Sequence, residues 1–527
     1  MKRRKFLKNS SHLAFTSAYF YGVQSLLEAC FHANFAKAAE GTELRYVNIQ
    51  TTGAPPRWYF DQPLNPANKA GEFIAGEFGT ELRKQGGVFR PVHVGYRHSF
   101  GGKDVFLPPV WRLSSAHSGQ KFSSLLAHTM MFRGIDMEIN GHNVNRTRTI
   151  RPVASQPSIT GMLADQSKLP LAAAGFAGLE TTTGFRSERG LSTVEVSSGN
   201  PTPAMTSAFT GKVTKASDLP RSITQAVESM DQYAIDHGLS SQGFEEAQTA
   251  AYEMFDKNIA NFNKEYKALF DKYTSIIKKE LKAAFPGINS GNPTADDSEY
   301  FNVDRNDKRV TGGLNASIDG KTTNNNLAAS CAFAEFALTK NLSTAVTVNS
   351  GGTILQNVKG VGNIVCDQHF VGASSSVYYT SLFWRAKLGC ILELKNQLDA
   401  AGLFDNTLIH VTAEFSRTPK SDASGSDHGF NGSSSTLFSG MISTPGLVGN
   451  IRKQPNRTDK ARYPGSFGES ANFLSQNGKN RPLLNDDLVN TICEILEVKK
   501  VATKGLSLVI KSGGKVQWSK AWGFRNV

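Results

Sequence analysis

The sequence predicts an α/β fold built on a parallel sheet, and two stretches carry that expectation. In the first, an amphipathic helix over residues 376–401 has Leu382, Phe383, Leu388, Ile391, Leu392 and Leu398 on its apolar side. It passes through Gly402 into a short buried run containing Thr407, Leu408, Ile409, Val411 and Thr412. A helix that feeds a buried strand is the crossover unit of a parallel sheet. In the second, an Ala-rich helix over 327–338 precedes the strand Ser343–Val348, which Gly351-Gly352 closes. The later strand runs into a carboxylate, Glu414, followed at once by Arg417 and Pro419, so the chain must leave the sheet there. Open α/β sheets bind ligands beyond the carboxyl ends of their strands.

From the N-terminus, residues 1–38 read as a targeting segment. Lys2-Arg-Arg-Lys-Phe-Leu-Lys8 resembles the twin-arginine export signal, a weakly apolar region runs from about Leu13 to Leu27, and Ala36-Lys-Ala38 fits a small-residue cleavage site. Leu27-Glu-Ala-Cys30 offers lipid anchoring at Cys30 as an alternative. Glu28 is unusual inside such a box, which favours soluble export. The expected location is the periplasm or outside the cell, with the twin-arginine translocase as partner during export. No other window reaches about 18 consecutive apolar residues, so the mature chain is not expected to span a membrane.

The mature chain, residues 39–527, is expected to form a single domain. It opens with a strand over 44–50, a Gly53-Ala-Pro-Pro turn, and then Asp61. An apolar segment, 125–132, leads to Arg133-Gly134 and to Asn140-Gly-His142. In Ser155-Gln-Pro-Ser158 the proline and serine before an apolar helical pattern mark a helix N-terminus. Ser158 is either its N-cap or a hydroxyl beside an anion site. Residues 218–285 carry a helical apolar pattern and 286–325 are Gly/Asn/Asp/Ser-rich, so 218–325 reads as a helical and loop insertion. Its lysines 264, 267, 272, 278 and 279 read as a solvated face. A last helix is expected over 485–498.

Composition narrows the function classes. Of the net charge of +13, the first 38 residues contribute five, leaving +8. That modest excess, without a dense basic run, gives no sign of nucleic acid and allows an anionic small-molecule or polymer ester as substrate. The five cysteines show no CxxC spacing, which excludes a disulfide framework or zinc ribbon and leaves one or two disulfides open.

Three groups stand out as site candidates: Asp367 with His369, Glu414, and Asp427 with His428. Asp61, His142, Ser155, Ser158 and Arg417 stand beside them. Asp-x-His places two ligand types on one face of a strand or lets them converge from a loop. Mixed Asp, Glu and His side chains suit zinc or manganese, and calcium where carboxylates dominate. Such a divalent metal would stabilise charge on a phosphoryl or sulfuryl group.

The run 405–419 with Gly425-Ser-Asp-His428 resembles the signature of a bacterial family catalogued as domain of unknown function 1501. That family shows a strand, then Ser-Glu-Phe-Gly-Arg-Thr-Pro, then Gly-Arg-Asp-His. Asp367-Gln-His369 resembles its Trp-Asp-Thr-His, and the likeness extends to the twin-arginine start, the Gly-Ala-Pro turn with Asp61, His142, and Asp486-Asp-Leu-Val. The resemblance implies an alkaline phosphatase- and sulfatase-like fold, a central mostly parallel sheet with helices on both faces. It implies Asp367, His369 and His428 as metal ligands with Asp427 beside them, and Ser155 or Ser158 at the nucleophile position. Cys366, Ser416, Ser426 and Pro55 depart from the family's Trp, Gly, Arg and Ser. Glu414 stands where phosphatases carry an Asp-His pair, which leaves a one-metal site and a degenerate site both open. The expected activity is metal-dependent hydrolysis of phosphate or sulfate esters; the alternative is a non-catalytic exported binding or assembly module that keeps the fold.

Overall fold

The computed structural model describes residues 43–62, 79–196, 261–283, 325–449, 451–453, 467–470, 474–476 and 479–519, apart from short gaps within those spans. The targeting segment, residues 218–260 and residues 284–324 lie outside the described residues, and so do the readings made of them.

Among the described residues a nine-stranded sheet forms from β1 (Arg45–Thr51), β2 (Thr129–Asp136), β3 (Ala173–Phe176), β4 (Thr193–Val196), β5 (Ala345–Asn349), β6 (Thr407–Ala413), β7 (Ser433–Phe438), β8 (Gly446–Val448) and β9 (Leu483–Leu484). Their spatial order is β8-β2-β7-β6-β1-β5-β3-β4, with β9 paired to β2. β7 runs antiparallel to both its neighbours, and every other pairing in the sheet is parallel. The chain is therefore mixed α/β with a mostly parallel central sheet.

The period-2 alternation of the strands sorts the core into two faces. Val47 and Ile49 of β1 stand in register with Ile409 and Val411 of β6 and with Val346 and Val348 of β5. They pack with the helices over 263–281 (α3), Asn325–Thr339 (α4) and Ala373–Ala400 (α5). Here α1 denotes His142–Arg148 and α2 Ile159–Gln166. On the opposite face Tyr46, Ala345, Leu408 and Leu437 meet Ile159 and Met162 of α2 and Leu488, Val489 and Ile492 of α6 (Asn485–Ile495). Buried on both sides, β5 and β6 read as nearly continuous apolar or β-branched runs, whereas β1 also buries Arg45, Asn48 and Gln50.

Several expectations shift. Of the insertion helix, the described part is α3, packed into the core by Tyr273, Ile276 and Leu281. Lys272 is not part of a solvated face: it bridges Glu335 on α4 at 2.7 Å and Glu393 on α5 at 3.1 Å. Asp427 and His428 lie on one strand of a hairpin, Ser416–Pro419 against Ser426–Gly429, pairing Arg417 with His428 and Thr418 with Asp427. Cys331, Cys366, Cys390 and Cys493 are buried free thiols. Burial pushes Cys366 and Cys493 up to about 12, which makes both inert at neutral pH. No described helix is long and apolar enough to cross a membrane.

Candidate metal centre

The parallel strands β1, β5 and β6 end side by side, and the site lies just beyond them. β1 ends at Thr51 and enters a tight loop in which Gly53 and Ala54 both have positive φ, 86° and 48°. Gly53 suits that conformation, and a Cβ there would also press on the Asp367 backbone nitrogen at 3.2 Å and the Cys366 Cβ at 3.3 Å. Ala54 holds a left-handed conformation at some cost, and the surroundings fix it. Arg417 is buried and donates from Nε to the Ala54 carbonyl at 2.9 Å, and its Nη2 binds the Asp367 carboxylate. Arg417 thus ties the β1 loop, the hairpin and Asp367 into one unit. Burial lowers its pKa, against the opposing pull of Asp367.

Glu414, the residue after β6, is fully buried. Its Oε1 accepts from the Gly53 N–H at 2.8 Å and from His142 Nδ1 at 2.9 Å. Its Oε2 has no partner among the described residues. His142 opens α1, which follows the carboxyl end of β2. Phe415 is buried under the cluster, its ring 4.8 Å from that of His142 and 4.6 Å from that of His428.

His369 and His428 meet from opposite directions. Their Nε2 atoms lie 3.2 Å apart, and His369 Nε2 is also 3.2 Å from Asp367 Oδ1. His428 Nδ1 donates to Asn140 Oδ1 at 2.6 Å, and His369 Nδ1 faces Asp427 Oδ1 at 3.6 Å. Each imidazole therefore has Nδ1 turned to an outer oxygen, those of Glu414, Asn140 and Asp427. Such partners fix ring orientation, with the Nε2 atoms of His369 and His428 turned to each other inside the cluster. Burial, reinforced by Arg417, His142 and His369, pushes His428 down to about 4, so its imidazole is neutral at neutral pH. Two groupings place ligand atoms within 4.8 Å of one another: His142, Asp367 and His428; and His369, Asp427 and His428.

Seven of the ten sequence candidates thus converge: Asp367, His369, Asp427, His428, His142, Glu414 and Arg417. Three do not. Ser158 is the buried N-cap of α2. Its Oγ accepts from Gly161 N at 2.9 Å and from Arg186 N at 3.1 Å. A Cβ at Gly161 would collide with the Arg186 carbonyl, so the first turn of α2 is sealed against that segment. Ser155 lies in an exposed turn before α2. Asp61 is buried in an ion pair with Arg57, and its Oδ2 accepts from Thr436 Oγ1 at 2.6 Å. The Arg57 guanidinium lies 5.3 Å from each of the Phe60 and Trp384 rings, which stack on one another at 4.3 Å.

Asn140, Gly53 and Phe415 are site residues that sequence reasoning did not single out. Asn140, two residues before His142, carried the clearest available signal. Arg146, one helical turn beyond His142, also reaches the strand ends. It binds Asn143 Oδ1 and approaches Thr52 Oγ1 at 3.5 Å.

Residues 389–463 match the model of a family described as Protein of unknown function (DUF1501). The match takes in the end of α5, then β6, the hairpin carrying Arg417, Asp427 and His428, and β7 and β8. No curated protein and no solved structure matches the chain.

Proposed function

We propose that this chain is an exported, metal-dependent hydrolase of phosphate or sulfate esters with an alkaline phosphatase- and sulfatase-like architecture. The observation that carries the reading is the gathering of His142, His369, His428, Asp367 and Asp427 at the carboxyl ends of parallel strands, in two overlapping groups that share His428. Tetrahedral zinc with bonds of about 2.0–2.1 Å sets its ligand atoms about 3.3 Å apart. The His369 Nε2–His428 Nε2 and His369 Nε2–Asp367 Oδ1 separations, both 3.2 Å, fit that edge. His142, His369, His428 and Asp367 are the ligands in this reading, a nitrogen-rich set that suits zinc or manganese better than calcium. Glu414 is then a positioning residue for His142 rather than a ligand, and Arg417 positions Asp367. Asp427 positions His369 or joins the ligand set.

A divalent ion held there supplies Lewis-acid stabilisation of negative charge on a phosphoryl or sulfuryl oxygen. Ser158 is enclosed in its cap, so the attacking group in this reading is water, and Arg146 adds positive charge near the strand ends. Export through the twin-arginine pathway to the periplasm or beyond belongs to the same proposal and rests on the Lys2–Lys8 segment and Ala36-Lys-Ala38.

The test is the metal content of the purified protein by mass spectrometry, wild type beside the double variant Asp367→Ala/His428→Ala. About one or more equivalents in the wild type, lost in the variant, is the expected result. A correctly folded wild type without metal would overturn the reading. One observation favours a second reading, a non-catalytic binding or assembly module: among the described residues the candidate nucleophile Ser158 is sealed away from the histidines. Bound metal without turnover of aryl phosphate and aryl sulfate esters would select it.

A further inference from the structure

We propose that Lys387 is a positioning residue of the metal centre: from beneath the sheet end it ties the last residue of β1 to the first residue after β5, and so holds the two loops that lead to Gly53 and Asp367. The inference rests on the metal-centre reading and adds a residue to it. Lys387 lies on α5 and is fully buried. Its hydrogen-bond partners are neutral hydroxyls. Nζ donates to Thr51 Oγ1 and, at 3.0 Å, to Ser350 Oγ. The two hydroxyls lie 3.1 Å apart, and Ser350 Oγ donates in turn to the Gln50 carbonyl at 2.9 Å. The Phe383 and Trp384 rings of the same helix stand 5.7 and 5.4 Å from Nζ. An amine taken wholly out of water is a costly core residue, and this one sits where β1 and β5 leave the sheet side by side.

Each tied strand end opens a loop that reaches the centre. Beyond Thr51, the Gly53 N–H donates to Glu414, which holds His142. Beyond Ser350, the Gly352 carbonyl accepts from the Cys366 N–H at 2.7 Å, one residue before Asp367. The loops press on one another: a Cβ on Gly352 would stand 2.6 Å from the Thr52 carbonyl oxygen, and one on Gly53 would stand 3.2 Å from the Asp367 nitrogen. Backbones packed this closely pass a shift of either strand end to Asp367 and to the Glu414–His142 pair. The charged and titratable groups around Lys387 are Arg57 and Asp61 from the segment after β1, Cys331 from α4, and Cys366. Burial, with the Arg57 charge adding to it, lowers Lys387 from 10.5 to about 7. Above about pH 7 the neutral amine still donates to the hydroxyls. Below that it carries a positive charge, which opposes a cation bound beyond the strand ends.

The experiment measures the zinc affinity of the full chain by competition with a chromophoric chelator, at about pH 6 and about pH 8 on either side of the lysine titration. Wild type is compared with Lys387→Met, which keeps an unbranched stem without the amine, and the unfolding midpoint of each sample is recorded. At about pH 8, where the amine is neutral, Lys387→Met is expected to bind zinc about tenfold more weakly. At about pH 6 the wild type's own charge opposes the ion, so that deficit should shrink by about threefold or more. All the proposed ligands are present in both chains, so a ratio that changes with pH reports Lys387. Thr51→Val keeps the β-branched shape, removes one of the two acceptors and should weaken zinc binding by about threefold at about pH 8. A Lys387→Met deficit that is absent, or equal at both pH values, would overturn the role of Lys387 and leave the metal centre standing. Should Lys387→Met fail to fold, unchanged affinity in Thr51→Val would do the same. A folded wild type that binds no zinc would overturn the metal centre and this role with it.

Discussion

In the middle of β6, His410 sits fully buried with both ring nitrogens engaged: Nδ1 lies 2.8 Å from the Tyr46 hydroxyl and Nε2 2.5 Å from the Ser435 hydroxyl. Beyond the end of the same strand, His142, His369 and His428 each turn Nδ1 to an oxygen, and the Nε2 atoms of His369 and His428 face each other inside the cluster at 3.2 Å. The residue type is the same and the consequences are opposite. Hydroxyl partners on both sides consume an imidazole, so His410 serves the sheet. An outer oxygen at Nδ1 orients an imidazole whose other contacts lie within the cluster, where a bound ion would replace them. Burial acts in both regions and is complete at His410. It pushes His410 down to about 3, with the Arg57 charge adding to the shift, so this ring stays neutral across the physiological range.

The largest expected effect breaks the buried member of that comparison. His410→Ala opens a cavity and strands two buried hydroxyls, which should cost about 2–4 kcal/mol in denaturant unfolding while metal content per folded molecule stays unchanged. The same residue gives a pH signature. Its folded pKa of about 3 lies below the ordinary histidine value of 6.5, so the unfolded chain takes up the proton first as pH falls. His410's contribution is therefore complete above about pH 6.5 and is lost at about 1.4 kcal/mol per pH unit toward pH 3. Wild type should show that acid slope and His410→Ala a shallower one. An identical slope in both would show that His410 does not set it.

A smaller effect probes the strand-end member. Glu414→Gln keeps an oxygen for Gly53 N–H and His142 Nδ1–H but removes the charge that favours that orientation. Outer-sphere partners of this kind are worth roughly tenfold to a hundredfold in metal affinity. A competition titration with a chromophoric chelator should find a loss of that size, with the unfolding midpoint nearly unmoved. Unchanged affinity would mean that Glu414 serves only the Gly53 loop.

The contrast also explains which parts of the molecule were legible in the sequence. β1, β5, β6, α4, α5 and α6 were readable because each carries one apolar period and lies in continuous chain. β7 was not: Ser433-Ser-Ser-Thr436 has the composition of a loop. It forms a buried central strand in which two of its small hydroxyls and one backbone N–H meet polar groups from elsewhere. Ser435 meets His410, Thr436 meets Asp61, and the Ser434 N–H donates to Ser416 Oγ at 2.9 Å. The ligand types of the site were readable from Asp367-Gln-His369 and Asp427-His428, but their roles were not. That Glu414 holds His142 depends on β6 ending beside the loop before α1, a long-range contact that no local pattern encodes. Asp61 misled for the same reason: it stands near the site in sequence, yet Arg57, four residues before it, takes its charge inside the core.

The smallest expected effect concerns Ser158, which belongs with His410 rather than with the strand-end histidines. Its Oγ accepts from two backbone N–H groups and is fully enclosed, the condition of a structural polar residue. Ser158→Ala removes the cap and leaves the N–H groups of Gly161 and Arg186 without their acceptor, which should cost about 1–2 kcal/mol of stability. Metal content and phenylphosphonate affinity should not change, because α2 packs on β5 through its apolar side and contributes no ligand. A loss of phosphonate binding with folding intact would instead bring Ser158 into contact with the ligand. The N-terminus of α2 would then have to open away from Arg186, since that segment supplies the contact which now encloses the hydroxyl.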